Sequence, residues 1–229
     1  MHRLALVLTA IMATPCLADE SSRLVYSQTF AKEDAIKDFA PTDPKAWRLG
    51  SADGKTFLEQ HAASKYTPPH RSPFNFALIA GKRFSDFILE AELQSTTREY
   101  GHRDMVIVFG YQGPARFYYV HIASQADDHA NNVFIVNDAP RVKIGKETNK
   151  GNDWGTNAWK KVRLERKLAD GGIKVYFEDT TKPIMTAEDK TFGAGWIGFG
   201  TFDDTGRIAN VRVWGKEAED KQAPAFAKE

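Results

Sequence analysis

Cysteine is nearly missing from this 229-residue sequence. The single one, Cys16, lies in an N-terminal segment built like an export signal. His2 and Arg3 give a basic start, Leu4 to Ala13 an apolar run, and Cys16 and Ala18 small side chains where a signal peptidase reads them. Cleavage is expected after Ala18, with residues 1–18 removed on the way to the periplasm or the extracellular space. The run is too short to span a bilayer as a mature helix. A lipoprotein reading of Cys16 meets Pro15 where a small residue belongs. Without Cys16 the chain can form no disulfide and do no thiol chemistry, so its stability has to come from a real core or a metal.

A surplus of either charge is missing too. The sequence carries 31 basic and 30 acidic residues, and the export signal takes away one basic residue. That balance excludes the basic excess that nucleic acids or anionic membranes demand. No second apolar run reaches membrane length, so no membrane anchor is expected. G-x-S-x-G, H-E-x-x-H and the P-loop are absent.

What is present is strand. Aromatic residues make up 12% of the chain, and saccharides are bound largely through such side chains. Apolar runs with turn residues between them predict strands near Leu24–Phe30, Thr56–Glu59, Asn75–Ile79, Asp86–Ser95, Met105–Tyr111, Phe117–Ala123 and Val133–Asn137. Further strands are predicted near Arg141–Ile144, Lys160–Leu168, Ile173–Glu178, Pro183–Thr186, Trp196–Phe202 and Ile208–Trp214. The one helical hint is Lys32–Phe39. Many short strands imply a single antiparallel β-sandwich over residues 19–215, followed by a loose, polar tail at 216–229. Gly193-Ala194-Gly195-Trp196-Ile197-Gly198 matches G-x-G-x-x-G, but it leads into more strand rather than into a helix. The glycines therefore read as a turn and a flat, closely packed strand.

Alternation sorts the side chains by face. Phe87, Leu89, Ala91 and Leu93 are expected in the core, which sends Glu90, Glu92 and Gln94 to the other side. Tyr118, Val120 and Ile122 are likewise inward, leaving Tyr119 and His121 opposite. A turn at Gln112-Gly113-Pro114-Ala115, with Gln112 paired to Ala115, places Val106 across from His121 and Asp104 diagonally beside it. Glu92 and Gln94 are then expected to flank the same patch from a neighbouring strand, making an acid–base site of His121, Glu92 and Asp104. Solvated carboxylates and a structural histidine are the plain alternative. Arg103, His102, His129 and Asn131 lie in segments bordering the same hairpin and are expected to rim the pocket.

Histidines 102, 121 and 129 with Asp127 or Asp128 have metal-ligand chemistry, but no short spacing pre-arranges them. Asp203-Asp204 on the turn Phe202–Gly206 offers hard oxygens for a structural calcium ion, the only cofactor suggested, although a plain turn explains the pair equally well. Trp154, in Gly151-Asn152-Asp153-Trp154-Gly155, either stacks on a sugar ring or caps the sandwich edge.

Phe84-Ser85-Asp86-Phe87-Ile88-Leu89-Glu90-Ala91-Glu92-Leu93, Trp159–Arg166, Tyr119-Val120-His121-Ile122, Gly195–Asp204 and Ile208–Gly215 together resemble the concanavalin A-like lectin/glucanase domains. Within that group the sequence is most similar to bacterial 3-keto-disaccharide hydrolase-type domains and their exported relatives. The resemblance implies a jelly roll with a concave sheet that grips glycans. The E-x-D-x-x-E signature of the family-16 glucanases is absent. The alginate-lyase-like branch uses Arg, Gln, His and Tyr on its concave face. Arg103, Gln94, His121 and Tyr119 offer those residue types without that branch's motifs. Three functions stay open: a saccharide hydrolase or lyase, a lectin-like module and a structural domain. In the first, His121 is the acid or base with Glu92 or Asp104 as partner, Arg103 polarises the substrate, and Tyr119 and Trp154 form a platform. A carbohydrate ligand is the expected partner, and the oligomeric state is left open.

Overall fold

The structure is a computed structural model that describes residues 23–220, 222 and 224–226. The expected export signal lies outside the described residues. Among those residues no helix is long and apolar enough to cross a membrane. The described residues form sixteen strands: β1 (Leu24–Gln28), β2 (Phe39–Pro41), β3 (Trp47–Ala52), β4 (Lys55–Gln60), β5 (Asn75–Ile79), β6 (Lys82–Ser95), β7 (Asp104–Gly113) and β8 (Arg116–Ala123), then β9 (Asn132–Asn137), β10 (Val142–Lys143), β11 (Gly145–Thr148), β12 (Lys160–Arg166), β13 (Gly172–Phe177), β14 (Met185–Glu188), β15 (Trp196–Thr201) and β16 (Gly206–Glu219). Two 3-10 turns, Ala35–Asp38 and Pro44–Ala46, are the only helical elements among the described residues. The first falls where the helical hint stood.

The strands pair antiparallel in two sheets. One runs β11-β14-β13-β12-β6-β16-β4-β3 with β1 added along β16, and the other runs β10-β9-β8-β7-β15-β5-β2. Stacked face to face they make the expected β-sandwich. Inward residues of both sheets meet in one core, with Leu89, Ala91 and Leu93 of β6 packed in the same cluster as Met105, Ile107 and Phe109 of β7 and Tyr118, Val120 and Ile122 of β8. β2, β3 and β11 escaped the sequence reading. β2 and β11 are three and four residues long, too short for a period-2 pattern to emerge.

The nine-stranded sheet is apolar inward and charged outward, so its strands alternate cleanly. The seven-stranded sheet is covered on both faces. Its outer side carries a second apolar layer that includes Phe76, Val106, Val108, Tyr111, Phe117, Tyr119 and Phe134. That double burial is why β7 reads as continuously apolar. Part of the cover comes from the end of the chain. The Phe226 ring packs on Tyr66, Phe76 and Tyr111, while the Tyr66 and Tyr111 hydroxyls donate to the carbonyls of Phe226 and Ala225 at 2.7 and 2.6 Å. Beyond Gly215, β16 stays paired with β6 as far as Glu219 opposite Lys82. The described part of the expected loose tail is thus strand and packed aromatic, and the domain reaches past residue 215.

The β7–β8 register places Val106 opposite His121, as the expected turn implies, but the turn itself differs. Gly113 pairs with Arg116 rather than Gln112 with Ala115, and an irregularity between Phe109 and Gly113 absorbs the extra residues. Gly110 sits there at φ +56°, a backbone conformation open to glycine at little cost. Gly198, from the apparent dinucleotide motif, lies in the middle of β15 against β5, where a Cβ would come 2.5 Å from the Ala77 carbonyl oxygen. Its role is close strand packing.

Candidate functional site

A cleft of about 420 Å³ opens on the outer face of the seven-stranded sheet. Its floor is His121 with Asp104, its walls are Phe74 and Phe202, and Arg71, Arg141, His102, His129 and Asp203 surround it. The registered β7–β8 pair sets the floor, because Asp104 faces Ala123 and His121 faces Val106, one step along. The loop before β5 supplies Arg71 and Phe74. The turn between β9 and β10 brings Arg141, and the turn after β15 brings Phe202 and Asp203.

His121 and Asp104 are buried, with Nε2 and Oδ2 only 2.5 Å apart. The pair is close in distance yet out of hydrogen-bond alignment, which leaves both Asp104 oxygens and His121 Nε2 without a hydrogen-bond partner. It is a buried polar contact, and such pairs depend strongly on both members being present. His121 Nδ1 lies 3.2 Å from the His129 carbonyl oxygen. Both ring nitrogens thus face oxygen atoms of the protein. The Phe202 ring stacks on the imidazole at 5.2 Å and holds the Arg141 guanidinium at 4.4 Å. Arg141 also lies 5.2 Å from the Phe134 ring and donates to the His129 carbonyl at 3.0 Å. Its charge is fixed before any ligand arrives.

Neighbouring groups tune the floor. Tyr119 stacks on Phe134 at 5.0 Å, almost parallel. Burial pushes its hydroxyl pKa up, and the nearby Arg141 and Arg71 charges pull against that. Asp204, buried behind the floor, accepts from the Tyr100 hydroxyl and the Asp104 N–H, both at 2.8 Å. Desolvation, with the Asp104 charge second, raises its pKa to about 6. His102 reaches Asp127 at 2.5 Å. Desolvation opposes ionisation of Asp127, but the His129 N–H and His102 outweigh it and hold the carboxyl below its ordinary range.

The structure brings His121, Asp104, His102 and His129 to one cleft, with Tyr119 beneath it, and sends the other candidates elsewhere. Glu90, Glu92 and Gln94 lie on β6, which belongs to the other sheet, and they face outward on the far side of the sandwich. Glu92 is bound by Lys55 and by Asn210 at 3.0 Å. Glu90 meets Arg163 and Arg212, and Gln94 joins Arg207 to the Asn157 carbonyl. Alternation predicts their facing, but β6 and β7, adjacent in sequence, belong to different sheets because the chain crosses between sheets after Ser95.

Arg103 is buried against Ser95 and tied to Glu99, away from the cleft. Asn131 is fully buried at φ +53° and knots Thr148, Asn149 and Asn152 together, so it braces a loop. Trp154 is fully buried in the main core against Phe177 and offers no platform. The Asp204 carboxylate is committed to Tyr100 and Asp104, which leaves Asp203 alone of the proposed calcium pair facing the cleft. Among the described residues no group of three or more His, Asp or Glu is gathered as a metal site.

Arg71, Arg141, Phe74 and Phe202 were not singled out from sequence. Arg71 and Phe74 sit in His70–Phe74, a turn segment whose composition signals a loop and nothing more, and Arg141 opens a predicted strand but lies in the turn just before β10.

No protein-family model matches the chain, and no curated protein matches its sequence. Solved structures do match in fold. The carbohydrate-binding module CBM66 from Bacillus subtilis is 16% identical with a TM-score of 0.54, over 78% of this chain and 96% of that one. Domain 4 of AbnA, a GH43 extracellular arabinanase from Geobacillus stearothermophilus in complex with arabinotriose, is 9% identical with a TM-score of 0.53, over 86% and 95%. Lectin I-B4 from Griffonia simplicifolia is 11% identical with a TM-score of 0.52, over 85% and 100%. What they share with this chain is the fold alone, a sandwich of two antiparallel β-sheets.

Proposed function

We propose that this chain is an exported carbohydrate-binding protein whose ligand occupies the cleft above His121 and Asp104. The observation that carries this reading is the cleft itself. It is preformed, part aromatic and part polar, and lined by side chains held by their neighbours, as small-ligand sites are. The fold shared with a carbohydrate-binding module and a lectin supports the reading by analogy. Binding is favoured over catalysis because both His121 nitrogens are already directed at protein oxygens, and Glu92, the carboxylate expected to work with His121, lies across the sandwich.

A second reading keeps catalysis, as a hydrolase or lyase of glycans or of 3-keto-disaccharides. It is favoured by the unsatisfied Asp104 oxygens, since a buried carboxylate without hydrogen bonds is costly and such groups gather at working sites.

Calorimetric titration of the purified protein against a panel of oligosaccharides, with product analysis, decides between them. Saturable binding without product, weakened at least about tenfold by Phe202→Ala, is the expected result. Product that disappears in His121→Ala would establish the catalytic reading. Indifference to every saccharide would overturn both.

A further inference from the structure

The cations of the molecule are partnered differently in different places. On the outer face of the nine-stranded sheet Arg48 and Arg207 hold Glu59, and Arg163 and Arg212 hold Glu90. Arg71 and Arg141 have no carboxylate partner among the described residues, and both line the cleft. Their backbones are joined, with the Arg141 N–H donating to the Arg71 carbonyl at 3.2 Å. Both border the one cleft, and both charges oppose the upward pKa shift of the Tyr119 hydroxyl beneath it. Arg141 is held by Phe202, Phe134 and the His129 carbonyl, whereas Arg71 is exposed, so one held and one solvent-facing guanidinium border the same cleft. The two carboxylates of the lining do not cancel them. Asp104 is taken by His121, and Asp203 sits beyond Phe202, where it suits sugar hydroxyls as an acceptor.

A planar guanidinium is matched to carboxylate and sulfate oxygens, and little side-chain entropy is lost when it is already held in place. Resting on the carbohydrate-binding reading above, we propose that the cleft selects an acidic saccharide, whose carboxylate or sulfate group is held between Arg71 and Arg141.

The test is calorimetry of the purified protein with three oligosaccharide probes of matched length: an oligogalacturonate, a sulfated oligosaccharide and a neutral oligogalactoside. At least one acidic probe binds about tenfold or more tighter than the neutral one, a margin fitting one charge-assisted contact. Arg71→Gln, at an exposed position, removes most of that advantage, and Arg141→Gln does the same. Added salt narrows the gap between acidic and neutral probes. Preference for uronate or for sulfate identifies the source of the anion. Equal binding of acidic and neutral probes, or an acidic preference untouched by Arg71→Gln, would overturn the selectivity and leave carbohydrate binding standing. Failure of every probe would overturn both.

Discussion

The two outer faces of this sandwich carry polar residues in opposite ways. On the nine-stranded sheet, Glu59, Glu90 and Glu92 each have a cation against them, and the face is a neutralised, partly solvated lattice. On the seven-stranded sheet an aromatic layer closes over the strands, and polar groups are few. Those few are left wanting: two guanidiniums without carboxylates, a His–Asp contact without hydrogen-bond alignment, and a carboxyl in Asp204 pushed toward neutrality. Density of charged residues marks the first face, and incompleteness marks the second. Ligands are bound by groups that the fold has not already satisfied.

The sharpest way to break that contrast is to remove one member of the buried pair. His121→Ala leaves Asp104 buried and uncompensated and is expected to cost about 3–5 kcal/mol in denaturant unfolding. Changing Asp104 as well returns part of the loss, so the double-mutant cycle shows strong coupling. A single-variant loss below about 1 kcal/mol would place this pair with ordinary surface contacts.

Asp204 gives the next largest effect, and its sign is fixed by linkage. Its folded pKa of about 6 lies above the ordinary 3.8, so between these values the native state holds the proton more tightly than the unfolded chain does. Stability from this group therefore falls as pH rises from about 4 to about 6, by an amount on the order of 1–3 kcal/mol, and is level above that. In Asp204→Asn that slope is expected to vanish from the stability–pH curve, while an unchanged slope would locate the titration elsewhere.

Phe202→Ala frees the Arg141 guanidinium and uncovers His121. We expect a loss of about 1–3 kcal/mol of stability together with loss of saccharide affinity in calorimetry. The smallest effects belong to the opposite face. Glu90→Gln and Glu92→Gln each cost under about 1 kcal/mol, since both are partly exposed ion pairs, and leave saccharide affinity unchanged.

Much of the fold was legible because it rests on local pattern. The alternation in Asp86–Ser95 and Phe117–Ala123 gives the facing of Phe87–Gln94 in β6 and of Phe117–Ala123 in β8, and the expected Gln112–Ala115 turn pairs Val106 with His121 even though the observed turn lies one residue further on. What alternation does not encode is which sheet a strand joins. β6 and β7 are neighbours in sequence and lie in different sheets, and that one topological fact moved Glu92 from the side of His121 to the far face. Arg71 and Arg141 were illegible for another reason. Each sits in an aperiodic turn, and only the folded chain brings those turns to one cleft. Trp154 shows the converse, since an indole in a Gly-rich loop reads equally as a sugar platform or as a cap on the sandwich edge, and only the folded loop turns it inward and buries it against Phe177.

Hydrogen exchange of the purified protein with and without a bound saccharide tests the central claim most directly. The account predicts ligand-dependent protection confined to the cleft on the seven-stranded sheet, at residues 70–74, 129–141 and 202–204. Protection at residues 27–29, 90–94 and 207–212, with the cleft unchanged, would put the ligand on the charged face and contradict it.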